Sequence, residues 1–248
     1  MALYNGKVYR GTLDAHMVAL DQKTGKEVWK TKVAEWKEGF SIIGAPLVAN
    51  GVVVTGLSGA EFGIRGFIDG YDPDTGKRLW RRYTVPAPGE KGSETWPKNS
   101  KAWATGGGST WITGSYDPQL DLMYWGTGNA AADFYDGDRV AAGADKGKDL
   151  NLYTASVVAL DADTGQLRWH YQEVPDDLWD YDSSYEVLLI DRQIRGRMRQ
   201  ALIHMNKSGL TFVLDRETGE YLGSFSTPEV NTWMAGITED GKLVGRNE

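Results

Sequence analysis
The chain has 248 residues, 41% of them hydrophobic and 25% charged, which is a globular composition. A formal net charge of −7 argues against a nucleic-acid partner, which would require clustered Lys and Arg. No apolar run reaches the roughly 18 residues of a membrane span, no leader is visible at Met1–Tyr4, and the absence of cysteine leaves the redox compartment unread.

The elements repeat along the chain. Strand-like GKVYRGTL (6–13) leads to ALDQKTGKEVW (19–29). There an apolar strand ends at Asp21, Asp-x-x-Thr-Gly turns the chain, and the next strand carries Trp29. Extended GAPLVANGVVVTG (44–56) precedes the small-residue loop Ser58-Gly59-Ala60-Glu61, and the template returns in GYDPDTGKRLW (70–80). Residues 86–106 read as a long insertion, rich in Gly, Pro and charge. The glycine-rich GGGSTW (106–111) then places Trp111 off the usual step of the repeat. SYDPQLDLMYW (115–125) reads as a degenerate copy, YWGTGN ends at Asn129, and 130–150 is a second insertion. ALDADTGQLRW (159–169) is followed by the acidic DDLWDYDSSY (176–185), by MNKSG (205–209) and by VLDRETGEYLG (213–223).

The reference aspartates Asp21, Asp72, Asp117, Asp161 and Asp215 are 51, 45, 44 and 54 residues apart, the period of a propeller blade. This predicts an all-β propeller in which residues 1–248 form a single segment of about five blade units. The first copy starts almost at residue 1 and GKLVGRNE shows no closing strand, so part of a larger propeller is expected. Trp29, Trp80 and Trp169 are assigned to packing between sheets. His16, His170 and His204 are widely spaced and form no metal motif; His170 and His204 are taken as incidental.

The motifs together resemble those of the pyrroloquinoline quinone (PQQ)-dependent alcohol dehydrogenases, periplasmic quinoproteins with eight-bladed propellers. The resemblance rests on GLSGAEFGIRGFIDGYDPDTGKRLW, GGGSTW, YWGTGN and WDYD, in family order along essentially the whole chain. It implies that Ser58, Gly59 and Ala60 approach a quinone carboxylate, that Ser109 hydrogen-bonds the cofactor, that Trp111 forms the floor under the quinone ring and that Lys207 reaches its carbonyls. Glu61, Asn129 and Asp180 would ligate a metal, with Asp180 as catalytic base. Ile43 departs from the family's usual Thr. The implied reaction is oxidation of a small primary alcohol to an aldehyde in the periplasm, with a cytochrome c as electron acceptor and room for a homodimer.

Hard oxygen donors suit calcium-like ions rather than zinc. If WDYDS is extended, residues i and i+2 share a side and Asp180 stands with Asp182. Two close carboxylates call for a cation. In the family this further Asp resembles the lanthanide-dependent members, so a lanthanide is expected, with Ca2+ as the alternative.

Each residue has a plainer reading. Glu61 is then a surface carboxylate, Asn129 a turn residue, Asp180 and Asp182 a solvated loop, Trp111 one more packing Trp and Lys207 a solvated cation. Asp176 and Asp177 read as loop solvation or turn formation. The competing functions are a non-catalytic propeller scaffold, or a segment that holds the site residues without turnover of its own.

Overall fold
The computed structural model describes residues 1–146 and 149–247. Four antiparallel four-stranded sheets follow one another along the chain. The first contains β1 (Ala2–Tyr4), β2 (Lys7–Gly11), β3 (His16–Asp21) and β4 (Glu27–Lys32). The second contains β5 (Leu47–Ala49), β6 (Val52–Thr55), β7 (Phe67–Tyr71) and β8 (Arg78–Tyr83). The third contains β9 (Ser115–Asp117), β10 (Leu122–Gly126), β11 (Ser156–Asp161) and β12 (Leu167–Gln172). The fourth contains β13 (Val187–Ile194), β14 (Arg197–Met205), β15 (Leu210–Asp215) and β16 (Tyr221–Ser226). A two-stranded hairpin, β17 (Gly236–Ile237) and β18 (Leu243–Val244), comes last. The first strands β1, β5, β9 and β13 touch in succession, so the sheets radiate from a shared inner edge as propeller blades do.

The repeated turn forms by local hydrogen bonding. Asp21 Oδ1 accepts from the Thr24 amide at 2.7 Å and its hydroxyl at 2.8 Å, and Asp72, Asp161 and Asp215 hold their threonines in the same way. The glycine after each threonine has a positive φ, between 68° and 77°. That glycine also seats a tryptophan from the preceding sheet. A Cβ at Gly76 would lie 2.6 Å from the Trp29 ring, at Gly165 2.4 Å from Trp80 and at Gly219 2.7 Å from Trp169. The Trp29 indole donates to Pro73 O at 3.0 Å and the Trp169 indole to Arg216 O at 3.1 Å. The turns at Gly76, Gly165 and Gly219 are therefore at once chain reversals and docking plates, and this couples neighbouring sheets, whereas Gly25 in the first turn carries no such ring.

This docking corrects the unit count. The copy at 115–125 does not make a blade, because its Asp117 turn joins β9 to β10 inside the sheet that also carries Asp161. Trp80 passes over it and docks on Gly165. Among the described residues there are four four-stranded sheets and a hairpin where the spacing predicts about five units. The hairpin docks through Gly241, whose carbonyl accepts from Tyr171 Oη at 2.5 Å.

Apolar cores fill the gaps between sheets. Tyr9, Met17, Val53 and Phe67 pack between the first and second sheets, and Val54, Ile68, Met123 and Trp125 between the second and third. Val157, Trp169, Leu202 and Phe212 pack between the third and fourth. The two insertions contain no strand among the described residues. They are nonetheless pinned: the Trp96 indole donates to Leu152 O at 2.7 Å, and the Arg139 guanidinium is buried against Asn151 and Asp176.

Candidate active site
The loop Ser58–Glu61 is tied to Ser41, with the two hydroxyls 2.6 Å apart and the Ser58 amide donating to Ser41 O at 2.9 Å. Gly59 has φ 128°, and a Cβ there would sit 2.2 Å from Gly39 O, so only glycine fits. Glu61 lies exposed on the short 3-10 turn Ala60–Phe62. It lines a cavity of about 220 Å3 together with Ala60, Thr105, Ala131 and Asp133.

Ser109 and Thr110 are buried, and Thr110 Oγ1 donates to Phe67 O at 2.7 Å, which anchors the glycine-rich segment to the second sheet. Trp111 is half-buried. Its carbonyl crowds Gly44, where a Cβ would fall at 2.5 Å. Unlike Trp29, Trp80 and Trp169, its ring covers no turn glycine.

Gly128 is the junction of the site. A Cβ on it would lie 2.7 Å from Ser109 Oγ and 2.8 Å from Asp182 Oδ1, and its amide donates to Ser109 O at 2.7 Å. The next residue, Asn129, is buried; its amide donates to Asp182 Oδ1 at 2.9 Å and its side-chain nitrogen donates to Asp133 Oδ1. Asn129 O accepts from the Gly108 amide at 2.9 Å. Residues 108–109, 128–129 and 182, far apart in sequence, thus form one hydrogen-bonded cluster.

The acidic run is far from solvated. Asp176 is fully buried, paired with Arg139 and with Lys146 at 3.2 Å. Asp177 is also buried, and accepts from the Trp179 amide at 2.9 Å and the Tyr181 amide at 2.6 Å. The reading of these two as loop solvation is corrected, although Asp177 does shape the turn. Trp179 and Tyr181 stack at 5.4 Å and pack on Trp233, and Arg246 lies 4.9 Å above Trp179. Residues 180–184 are not a strand, and Asp180 has φ 60°, so the extended-chain route to a shared side is also corrected. The two carboxylates converge for another reason: Lys207 Nζ reaches both, Asp180 at 2.9 Å and Asp182 at 2.8 Å.

Burial lowers the basicity of the Lys207 ammonium, but hydrogen bonds to Asp182 and Asp180 more than offset this and raise it above its ordinary value. Burial lifts the Asp182 carboxyl above the usual range, and Lys207 and the Asn129 amide pull it only part of the way back.

Burial pushes the Asp177 carboxyl up to about 7, against the two amides that favour its ionised form. The folded state therefore holds a proton that the unfolded chain, near its ordinary 3.8, has released. This contribution to stability is greatest at low pH and is lost as pH rises from about 4 through about 7, by at most about 4 kcal/mol. Urea melts of the chain and of Asp177→Asn at pH 5 and pH 8 check this. The unsubstituted chain should lose stability relative to the variant as pH rises, and parallel curves would refute it.

The sequence reading missed Glu173, His204 and Asn206, all buried beneath the acidic loop, and Asp133 beside Asn129. Glu173 and His204 lie 31 positions apart and carry no shared sequence signal. Only Asn206, between Met205 and Lys207 in MNKSG, had a neighbour that drew notice.

Residues 33–233 match the family model described as PQQ, glucose/ethanol/alcohol dehydrogenase, beta-propeller domain. The chain is 43% identical over 256 residues to a quinohemoprotein alcohol dehydrogenase of Comamonas testosteroni, a match covering 99% of this chain and 35% of that protein. It is 39% identical to a lanthanide-dependent methanol dehydrogenase of Methylacidiphilum fumariolicum, covering 97% and 40% respectively. The crystal structure of the Comamonas protein superposes with a TM-score of 0.89 at 41% identity, covering 98% of this chain and 37% of that one. The chain thus spans 35% to 40% of the length of these curated relatives. With this family match over residues 33–233 and agreement with its relatives along nearly its whole length, the chain belongs to the β-propeller family of the PQQ-dependent alcohol dehydrogenases.

Proposed function
We propose that the protein oxidises primary alcohols to aldehydes with PQQ and a hard cation, in the periplasm, and passes the electrons to a cytochrome c. The observation that carries this reading is the cluster at Gly128, where Ser109, Asn129, Asp182 and, through Asp182, Lys207 meet. The relatives' names, which specify quinoprotein alcohol and methanol dehydrogenases, support it.

The residues fit such a group in their chemistry. Glu61, Asn129, Asp180 and Asp182 offer hard oxygens, suited to a lanthanide or Ca2+. Among the described residues no three His, Cys, Asp or Glu side chains close around one point. Asn129 would add a neutral oxygen to these carboxylates. When bound, PQQ would take up the two electrons of the alcohol and the cation would act on it as a Lewis acid.

The chain's own part is to position and to move a proton. Trp111 presents a half-buried aromatic face for stacking, and Ser58, Gly59, Ala60 and Ser109 supply small, close-approaching contacts. Asp180, partly exposed, accepts the hydroxyl proton of the alcohol. Lys207 holds a positive charge beside it, at 2.9 Å, and would stabilise negative charge on a bound cofactor. The test is reconstitution of the protein with PQQ plus La3+ or Ca2+, followed by dye-linked oxidation of ethanol. Turnover that requires PQQ supports the reading, and none with either ion at any alcohol tried defeats it.

A further inference from the structure
Beneath the acidic loop lies a buried polar network that the proposed reaction does not use. Asn206 is buried in the turn between β14 and β15, and its Oδ1 accepts from the Ser208 amide at 2.8 Å. Its side-chain nitrogen reaches the other way. It donates to Tyr181 O at 2.7 Å and Ser183 Oγ at 2.8 Å, with longer contacts of 3.3 Å to Asp182 O and Glu173 Oε2. A side-chain amide has two N–H groups, so the two short bonds straddle Asp182 on either side. Glu173 Oε1 lies 2.8 Å from His204 Nδ1, and neither side chain is exposed. The loop is closed from the far side too, where a Cβ on Gly126 would fall 1.8 Å from Ser183 O and 3.1 Å from His204 Nε2.

The residue after Asn206 is Lys207, the ammonium that pairs with Asp182 at 2.8 Å. One side chain therefore joins the backbone that carries the carboxylate to the backbone that carries its cation. Inside a protein such bonds are strong, and a donor left without a partner is costly, so the loop has little freedom to shift while Asn206 is satisfied.

We propose that Asn206, backed by Glu173 and His204, is a positioning residue that holds the Tyr181–Ser183 backbone and so sets the Asp182–Lys207 pair. The importance of that pair for turnover rests on the alcohol-oxidation reading; the positioning itself does not.

The test needs neither cofactor nor metal. The full chain is acetylated competitively at one fixed pH, and labelling of Lys207 is read by mass spectrometry against Lys23, whose side chain is exposed. In the unsubstituted chain Lys207 should label roughly tenfold more slowly than Lys23, the scale of one charge-assisted hydrogen bond. Asn206→Ser keeps a hydroxyl able to accept from the Ser208 amide in the turn but is too short to reach Tyr181 or Ser183. In this variant Lys207 should label nearly as fast as Lys23. Retained protection would make Asn206 a turn former only and overturn the proposal, as would fast labelling of Lys207 in the unsubstituted chain. If Asn206→Ser does not fold, Ser183→Ala removes one of the two short bonds and should speed Lys207 labelling about threefold. Unchanged labelling in folded Ser183→Ala overturns the proposal. Expected labelling in a protein that shows no PQQ-dependent turnover would sink the functional reading and leave the positioning intact.

Discussion

Asp180→Ala is expected to abolish the proposed alcohol oxidation whichever ion is supplied, lowering kcat by at least about a hundredfold, the lower end of what a general base contributes. Asp180→Asn should do the same, because the amide keeps the shape and cannot take up a proton. The geometry explains why this carboxylate, rather than its neighbours, is the candidate. Asp176 and Asp177 are buried and engaged with Arg139 and with backbone amides, and Asp182 is nearly sealed between Lys207 and Asn129. Asp180 alone in the run has an exposed share of side chain together with a fixed cation, Lys207 at 2.9 Å. Its backbone is left-handed, φ 60°, between the two residues whose rings stack, Trp179 and Tyr181. The measurement is dye-linked alcohol oxidation by the PQQ-loaded protein with La3+ or with Ca2+. A variant that keeps more than about a tenth of the original kcat would remove Asp180 from the role of base.

Asp182→Ala should separate the two ions. The unsubstituted protein is expected to work with La3+, and the variant to lose lanthanum-dependent activity by roughly tenfold or more relative to whatever calcium supports. The attraction between a carboxylate and a cation scales with the cation's charge, so removing one carboxylate weakens a trivalent site more than a divalent one. The proposed donors Glu61, Asp180 and Asp182 are all carboxylates, and Asp133 is hydrogen-bonded to Asn129. Lys207 compensates two of these carboxylates in this structure, so a bound cation must share or displace that pairing. A higher charge favours the exchange. Equal activity with both ions in the unsubstituted protein, or activity with calcium alone, would defeat the lanthanide reading.

Much of the architecture was legible because it is local. Asp-x-x-Thr-Gly closes its own turn through the aspartate and threonine side chains, so four turns could be read from four short stretches. Strand alternation and the Trp after three of the four turns are equally short-range signals. The copy at 115–125 misled for the same reason. Asp117 also closes a local turn, accepting from the Gln119 amide at 2.8 Å, yet whether a turn ends a blade depends on what docks on it. Trp80 chooses Gly165, and nothing within 115–125 reveals that.

The site divides along the same line. The sequence by itself determined which residue types are present, hard oxygen donors, a Trp off the repeat and one Lys in MNKSG, and through their order the family resemblance. Only the tertiary structure decided how they meet. Asp182 reaches the Asn129 amide across 53 positions, Lys207 bridges Asp180 and Asp182, and Glu173, His204 and Asn206 close beneath them. It also turned Asp176 and Asp177, which read as loop, into buried and hydrogen-bonded carboxylates. The physical reason is that a turn is encoded by the few residues that form it, whereas burial and the pairing of distant charges depend on how whole sheets pack, which no short window of sequence contains.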